Sequence, residues 1–277
     1  MKSIIVGTDF SEGSYVALEI ATDIARALQV GIKLIWVQQE RMLVGDEERE
    51  MLRRLAEEKM QRLCDKYTEK MGSLGIRCEA LNGRIPTTIA EQARKEHAPM
   101  IVIGTNGASG FEKYWMGSTA VRIVQEAPCP TLSIRQGYDF HKRLERIVVP
   151  IRVSTSSREK IRPACMMARI FGAEVHVLGL LDMPAEEATL NAYVKQSTDY
   201  LAAEQIPHQS TIVRSSNACD SILDYATKIK ADLLVIHTEQ DKFLSQLFLG
   251  TNAQQIVHKS QIPVLSLHPE DYINFAR

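Results

Sequence analysis

Residues 100–107 read MIVIGTNG, and after nine further residues the chain continues with Gly117-Ser118. The apolar run that begins at Met100 predicts a buried parallel strand, and Ser118 predicts the start of a helix. Glycines such as Gly104 and Gly107 let backbone N–H groups approach an oxyanion, and a helix N-terminus adds unpaired donors and the positive end of a dipole. The segment therefore predicts a phosphate-binding loop at the carboxyl end of a strand, where open α/β sheets bind ligands.

This loop differs from the two common phosphate-binding loops. No Lys-Ser or Lys-Thr pair follows Gly117, as a Walker A loop requires, and no Gly-x-Gly-x-x-Gly occurs there. A nucleotide would be held mainly by backbone N–H groups and hydroxyls. Because isolated glycines are common in turns, a Gly-rich connection without a ligand is the alternative.

The composition is that of an ordinary globular protein. Of the 277 residues, 45% are hydrophobic and 24% are charged, and the formal net charge is -1. This balance gives no electrostatic reason to expect nucleic acid or an anionic membrane as a partner. No apolar run approaches the ~20 residues that cross a bilayer, and residues 1–6 predict a strand rather than a signal peptide, so we expect a cytoplasmic protein.

Five cysteines are scattered along the chain: Cys64, Cys78, Cys129, Cys165 and Cys219. They form no C-x-x-C motif and have no histidine nearby at zinc spacing. We therefore expect buried free thiols, and neither a disulfide framework nor a metal site.

Strand and helix patterns alternate along the first half of the chain. Strands are predicted at 3–7, 32–37, 76–81, 100–104 and after Pro130, and helices at 14–28, 46–71, from Pro86 and from Ser118. Such alternation is typical of βαβ units, so these elements predict a five-stranded parallel sheet flanked by four helices.

The same order begins again at Arg146. Residues 5–9 align with 148–152, an offset of 152 − 9 = 143, and residues 100–103 align with 233–236, an offset of 236 − 103 = 133. The second copy is therefore ten residues shorter, and we place the loss between its second and third strands. The prediction is an α/β chain of two tandem Rossmann-like domains, residues 1–136 and 145–270.

The motifs of the first copy resemble those of the universal stress protein family. Residues 6–11 read VGTDFS, residues 103–107 read IGTNG, and the nine-residue gap before Gly117-Ser118 matches the family's ATP-binding pattern. The resemblance covers almost the whole chain as two tandem domains. It implies an adenine nucleotide α-hydrolase-like fold and a bound adenine nucleotide, ATP, ADP or AMP, with any Mg²⁺ carried by the nucleotide.

The resemblance also implies roles for single residues. Asp9 would bind the adenosine part of the nucleotide, with Val37 beside the adenine, and Ser118 would hold terminal phosphate oxygens. Asp9 is also a common helix-cap or turn residue, and that alternative stays open. The implied nucleotide-binding residues are Gly7, Thr8, Asp9, Val37, Gly104, Gly107, Gly117, Ser118 and Thr119, where Gly7 stands in place of a proline found in many members.

The second copy departs from this pattern. His237 and Gln240 replace the first two glycines of the loop, Arg152 replaces Asp9, and only Gly250-Thr251 preserves the last pair. Side chains would fill the phosphate path, and a cation would replace the acceptor carboxylate. We therefore expect a degenerate copy that binds no nucleotide.

Three functions fit the sequence. The first is a cytoplasmic stress-response protein in which nucleotide occupancy of the N-terminal domain is the signal, read by an unidentified signalling protein. The second is a slow ATPase or autophosphorylating enzyme with Ser118 or Thr119 as acceptor, although no general base, arginine finger or Walker B acid is evident and no catalytic residue is predicted. The third is a scaffold that binds a protein or an apolar ligand through the diverged domain.

The resemblance implies an assembly as well. In the family, the last strands of two domains pair to form dimers. Residues 130–134 and 262–267 are therefore expected to pair antiparallel within one chain as a pseudo-dimer, which would hide two sheet edges. Further homodimerisation is compatible with this arrangement.

Overall fold

The computed structural model describes residues 2–39, 45–105, 118–135, 137–138, 144–154, 157–238 and 251–268. The chain divides into two compact units, Met1–Phe140 and His141–Arg277.

The first unit contains a five-stranded parallel sheet. Its elements are β1 (Ser3–Gly7), α1 (Glu12–Leu28), β2 (Gly31–Gln38), α2 (Asp46–Met71), β3 (Ile76–Asn82), α3 (Ile85–Lys95), β4 (Ile101–Gly104), α4 (Ser118–Glu126) and β5 (Thr131–Ile134). The strand order is β3-β2-β1-β4-β5, and all neighbours are parallel. The chain thus builds outward from β1 to β3 on one side and then returns to add β4 and β5 on the other.

Local sequence explains where the elements begin and end. Ser11 caps α1, because its side chain accepts a hydrogen bond from the Ser14 N–H. Gln29 caps the C-terminus of the helix, and its left-handed backbone closes the last turn. Ile4 and Ile5 at the centre of β1 are fully buried, as expected for a strand covered on both faces.

The second unit repeats this architecture. Its elements are β6 (Arg146–Ile151), α5 (Ile161–Phe171), β7 (Glu174–Leu181), α6 (Glu187–Ala203), β8 (His208–Arg214), α7 (Ala218–Lys228), β9 (Leu233–His237), α8 (Thr251–Lys259) and β10 (Val264–Leu267). The strand order is β8-β7-β6-β9-β10, and all neighbours are again parallel.

The predicted fold class is confirmed. Each unit is a Rossmann-like α/β domain with five parallel strands and, within its described residues, four α-helices. The shortening of the second copy lies where it was placed, since α6 has 17 residues and α2 has 26. The first helix begins at Glu12, two residues before the predicted start, because Ser11 is its cap.

The prediction that no cysteine forms a disulfide is wrong. Cys64 on α2 is bonded to Cys78 on β3, with their Cα atoms 6.1 Å apart. The two thiols meet because α2 lies against β3, a contact that spacing in the sequence does not reveal. Cys165 and Cys219 are buried thiols, as expected. Among the described residues, no helix combines the length and the apolar character that a membrane crossing requires.

Candidate functional site

The candidate site lies at the carboxyl ends of three adjacent strands of the first unit. Gly7 ends β1, Val37 lies next to last in β2, and Gly104 ends β4. Because the chain leaves β1 towards β2 and returns to β4 on the opposite side, the point where strand order reverses falls between β1 and β4. Open α/β sheets bind ligands in the crevice at this point. Two predicted site residues, Asp9 and Gly104, therefore flank the expected crevice.

Asp9 lies in the turn between β1 and α1. Its Oδ1 accepts hydrogen bonds from the Ser11 backbone N–H at 3.0 Å and from the Ser11 hydroxyl at 2.5 Å. The turn role that the sequence left open for Asp9 is thus present in the structure. It occupies one carboxylate oxygen, and Oδ2 makes no hydrogen bond within the described part of the chain, so the exposed carboxylate retains an acceptor.

Thr8 fixes the path of the chain out of β1. Its backbone N–H donates to the Ile35 carbonyl at 2.9 Å, and its buried hydroxyl lies 3.0 Å from the Ser14 hydroxyl in the first turn of α1. The same hydroxyl accepts a hydrogen bond from the Phe10 N–H at 3.1 Å. Thr8 therefore holds the backbone on either side of Asp9 in place.

Val37 is half-buried at the end of β2, beside an aromatic pair that the sequence did not predict. Phe10 adopts a left-handed backbone (φ 62) and stacks on Trp36, with the ring centroids 6.5 Å apart. The Lys59 ammonium of α2 lies 5.2 Å from the centre of the Phe10 ring. These contacts join the turn after β1 to β2 and α2, next to Asp9.

Gly104 has a packing role of its own. A Cβ at this position would lie 2.7 Å from the Gly13 carbonyl carbon and 2.9 Å from the Ser14 nitrogen. Both atoms belong to the backbone of α1, which leaves no flexible group to move aside. The close approach of α1 to β4 therefore requires a glycine here, in addition to any demand that a phosphate would make.

The remaining residues of the loop are described only in part. Ser118 and Thr119 are exposed in the first turn of α4, where backbone N–H groups lack partners within the helix. Gly107 and Gly117 lie outside the described residues. The assignment of all nine residues to one nucleotide site stays a prediction.

The corresponding edge of the second unit is occupied by an ion pair. Arg152, at the repeat position of Asp9, donates from Nε and Nη2 to Oδ2 of Asp182, which follows β7. Its backbone N–H donates to the Ser157 hydroxyl at 2.8 Å. The carboxylate acceptor of the first unit is replaced here by a cation whose charge is already compensated.

His237 ends β9 at the repeat position of Gly104. Burial, together with the positive charge of Lys160 and with His268, lowers the pKa of His237 to about 3, so its imidazole is neutral at physiological pH. The helix that follows β6 begins at Ile161, whereas the offset of 143 would place its start at 12 + 143 = 155. Residues 157–160 form turns instead, so the described helical backbone begins further along the chain than in the first unit.

The fold and the strand-edge geometry define a doubly wound α/β protein that carries the same domain twice. The model of the universal stress protein family matches residues 1–135 and 143–268, and the chain belongs to this family. The resemblance that the motifs carried is therefore confirmed.

Two of the relatives each match about half of this chain. A universal stress protein of Methanocaldococcus jannaschii is 31% identical over 140 residues, which cover 49% of this chain and 82% of the relative. One of Bacillus subtilis is 24% identical over 48% of this chain and 99% of its own length.

Two solved structures match nearly the whole chain. A universal stress protein of Archaeoglobus fulgidus is 19% identical, with a TM-score of 0.73 over 96% of this chain and 98% of the other. A Pseudomonas aeruginosa protein of unknown function is 20% identical, with a TM-score of 0.71 over 99% of this chain and 94% of the other. At this identity the likeness shows the two-domain fold alone.

Proposed function

We propose that the first unit binds an adenine nucleotide, with ATP as the leading candidate, and that occupancy of this site is a signal in a stress response. The observation that carries the proposal is the position of Asp9 and Gly104 on the two sides of the crevice between β1 and β4. The chain's membership of the universal stress protein family agrees with it.

The environment of Asp9 supports binding at the adenosine end. Ser11 holds one carboxylate oxygen and thereby fixes the plane of the group, while the other oxygen remains an acceptor for a donor on the ligand. Val37, near the end of the neighbouring strand β2, supplies apolar surface. Apolar walls with a few convergent polar groups are typical of small-molecule sites.

The other end of the site suits phosphate groups. The first turn of α4 is exposed at Ser118 and Thr119, and its N–H groups and hydroxyls are donors for phosphate oxygens. Gly107 and Gly117 would complete the loop. A Mg²⁺ ion would be carried through phosphate oxygens and water rather than by protein carboxylates.

Calorimetric titration of the full chain with ATP, ADP and AMP tests the proposal. Asp9→Ala should weaken binding by ~1.5 to 3 kcal/mol, because hydrogen bonds to a charged group contribute about that much. Arg152→Ala, at the same repeat position in the second unit, is the matched control and should leave the affinity unchanged. A wild-type chain without affinity for any of the three nucleotides would remove the proposal.

The same samples separate binding from turnover. We propose binding as the function, so phosphate release from ATP should not exceed that of a Gly117→Val variant. Release well above this control would favour the ATPase alternative, and a labelled Ser118 or Thr119 would favour autophosphorylation.

A second proposal concerns assembly. We propose that residues 130–134 and 262–267 pair antiparallel within one chain, because unpaired edge strands promote association. Separately expressed halves should then associate when mixed, as measured by analytical ultracentrifugation. Halves that stay monomeric at high concentration would contradict this pairing.

A further inference from the structure

A groove separates α5 from α6 in the second unit. It has a volume of about 530 Å³, and residues from the turn before α5, from α5 itself and from α6 line it. Sites for small molecules fall in the same range of roughly 300 to 1,000 Å³. The groove belongs to the second unit and plays no part in the proposed nucleotide site of the first.

Arg158 places a positively charged guanidinium group in this groove, where two contacts hold it. Its guanidinium carbon lies 4.1 Å from the centre of the Tyr193 ring, and Nη1 donates to Oε1 of Gln196. Its Nε is buried and has no hydrogen-bond acceptor among the described residues. Because an unmade hydrogen bond on a buried charged group is costly, a turn of the Arg158 side chain that brings its donors onto an oxygen ligand in the groove would be stabilising.

Arg162 lies one helical turn further along and adds a second cation. Its side chain is exposed, and no described carboxylate forms an ion pair with it. Tyr200 lines the groove from α6, and burial raises the pKa of its phenol, so the hydroxyl stays protonated and is a donor. Ile161 and the Tyr200 ring supply apolar surface beside these donors.

In the first unit, the equivalent space between α1 and α2 is filled. Arg162 corresponds to Glu19, since 162 − 143 = 19, and Glu19 accepts a hydrogen bond from the buried Tyr67 hydroxyl at 2.6 Å. Lys70 pairs with the same carboxylate at 2.9 Å. The first unit thus fills the space between α1 and α2 with an aromatic ring and a compensated charge.

In the second unit, no aromatic side chain stands at the repeat position of Tyr67. The helices α2 and α6 align at their ends with an offset of 203 − 71 = 132, which places Asp199 at the repeat position of Tyr67. Asp199 is 61% exposed and pairs with Lys195 on the outer face of α6. A closed contact with a compensated charge has therefore become an open groove lined by two arginines and one carboxylate, Glu159.

We propose that this groove binds a small organic phosphate monoester, with the phosphate between Arg158 and Arg162 and the organic group against Ile161 and Tyr200. Two guanidinium groups match the double negative charge of such a phosphate, and arginine forks fit its oxygens. The site would give the second unit a ligand of its own, unrelated to adenine.

Calorimetry of the full chain with phenyl phosphate as the probe tests this assignment. Arg162→Glu installs the residue of the first unit and should weaken phenyl phosphate binding about tenfold or more, because it replaces a charged donor by a repelling carboxylate. Arg162→Lys should retain part of the affinity. Lys195→Ala, on the exposed face of α6, is the matched control and should change the affinity less than about twofold.

Two further readouts locate the bound probe. Hydrogen exchange with phenyl phosphate should slow in residues 157–162 and 190–203, and titration of the Arg162→Glu variant with ATP should match the wild type. Phenol, which lacks the phosphate, should not bind. The assignment fails if phenyl phosphate does not bind at millimolar concentration, or if Arg162→Glu, with an unchanged circular dichroism spectrum, binds it as the wild type does.

Discussion

The two units bury different chemistry at the same position of the sheet. Lys33 on β2 is buried and pairs with Glu79 at 2.6 Å, and its ammonium also donates to Gln92 on α3 at 2.7 Å. Its counterpart on β7, since 33 + 143 = 176, is the buried His176, which lies 3.4 Å from the hydroxyl of Tyr225 on α7.

The helix residues that contact Lys33 and His176 also occupy equivalent positions in the two units. Gln92 and Tyr225 share a repeat position, since 92 + 133 = 225, so strand and helix changed together and kept a polar contact. At the carboxyl edge, by contrast, Asp9 became Arg152 and acquired Asp182 as a partner. In the interior, the strand residue and its helix partner thus differ as a matched contact, whereas the difference at the edge replaces a carboxylate acceptor by a paired cation. Four predictions test this difference between interior and edge.

The largest effect is expected at the phosphate loop. Gly117→Val should abolish nucleotide binding and leave the fold intact, because a branched Cβ would fill the approach of the phosphate. Gly250→Val, at the same position of the second copy, is the control and should bind one nucleotide per chain, like the wild type. Calorimetry and circular dichroism measure both properties. Retained affinity in a folded Gly117→Val variant would place the site elsewhere.

The disulfide distinguishes the first unit from the second. Cys64→Ser should lower the free energy of unfolding of the first unit by about 3 kcal/mol, because the bond closes a loop with a sequence separation of 14. Urea denaturation measures this change. Reductant should destabilise the wild type to the same extent and leave Cys64→Ser unchanged; equal stability of the two proteins under oxidising conditions would contradict the prediction.

His237 makes the stability of the second unit depend on pH. The pKa of His237 is about 3 in the folded chain and about 6.5 in the unfolded chain. Between these values only the unfolded state binds the proton, so the free energy of unfolding decreases as the pH is lowered. From about pH 7.5 to pH 5 the loss should be about 2 kcal/mol. Thermal unfolding of His237→Asn should show a flatter pH profile, and a slope equal to that of the wild type would refute this role.

The smallest effect is expected when three residues of the second copy are replaced by their counterparts in the first copy. The triple variant Arg152→Asp, His237→Gly and Gln240→Gly should gain a weak second nucleotide site, because it regains an acceptor and room for phosphate. The later start of α5 should keep its affinity far below that of the first unit. Calorimetry that finds two equivalent sites in the wild-type chain would show that the second copy is not degenerate.

The elements could be predicted because their signals are local. The helix predicted at 46–71 has these bounds in the structure, and the strand at 3–7 does too. The Cys64–Cys78 bond could not be predicted, since it depends on how α2 lies against β3. The groove beside Arg158 was missed for the same reason, because its walls belong to two helices far apart in the sequence.

The candidate site was predicted as a set of residues but not as a set of contacts. Motif spacing brought Asp9 and Gly104 to one edge of the sheet, and the strand order agrees. The pairing of Phe10 with Trp36 and Lys59 joins three elements and has no signature in the sequence. The hydrogen bonds from Ser11 to Asp9 follow from a helix start that the prediction placed two residues too late.

The contact between Gly104 and α1 has a consequence for how such motifs report ancestry. The missing Cβ makes room for the backbone of Gly13 and Ser14, so a descendant that has lost its ligand but keeps α1 in this position would still be under selection to keep this glycine. The second unit, in which the helix after the first strand begins later, carries His237 there instead. The presence of this glycine in a related chain therefore indicates that the first helix lies close to the fourth strand, and does not by itself indicate a bound nucleotide. Asp9, whose described hydrogen bonds stay within its own turn, would be free to drift once a nucleotide is no longer required.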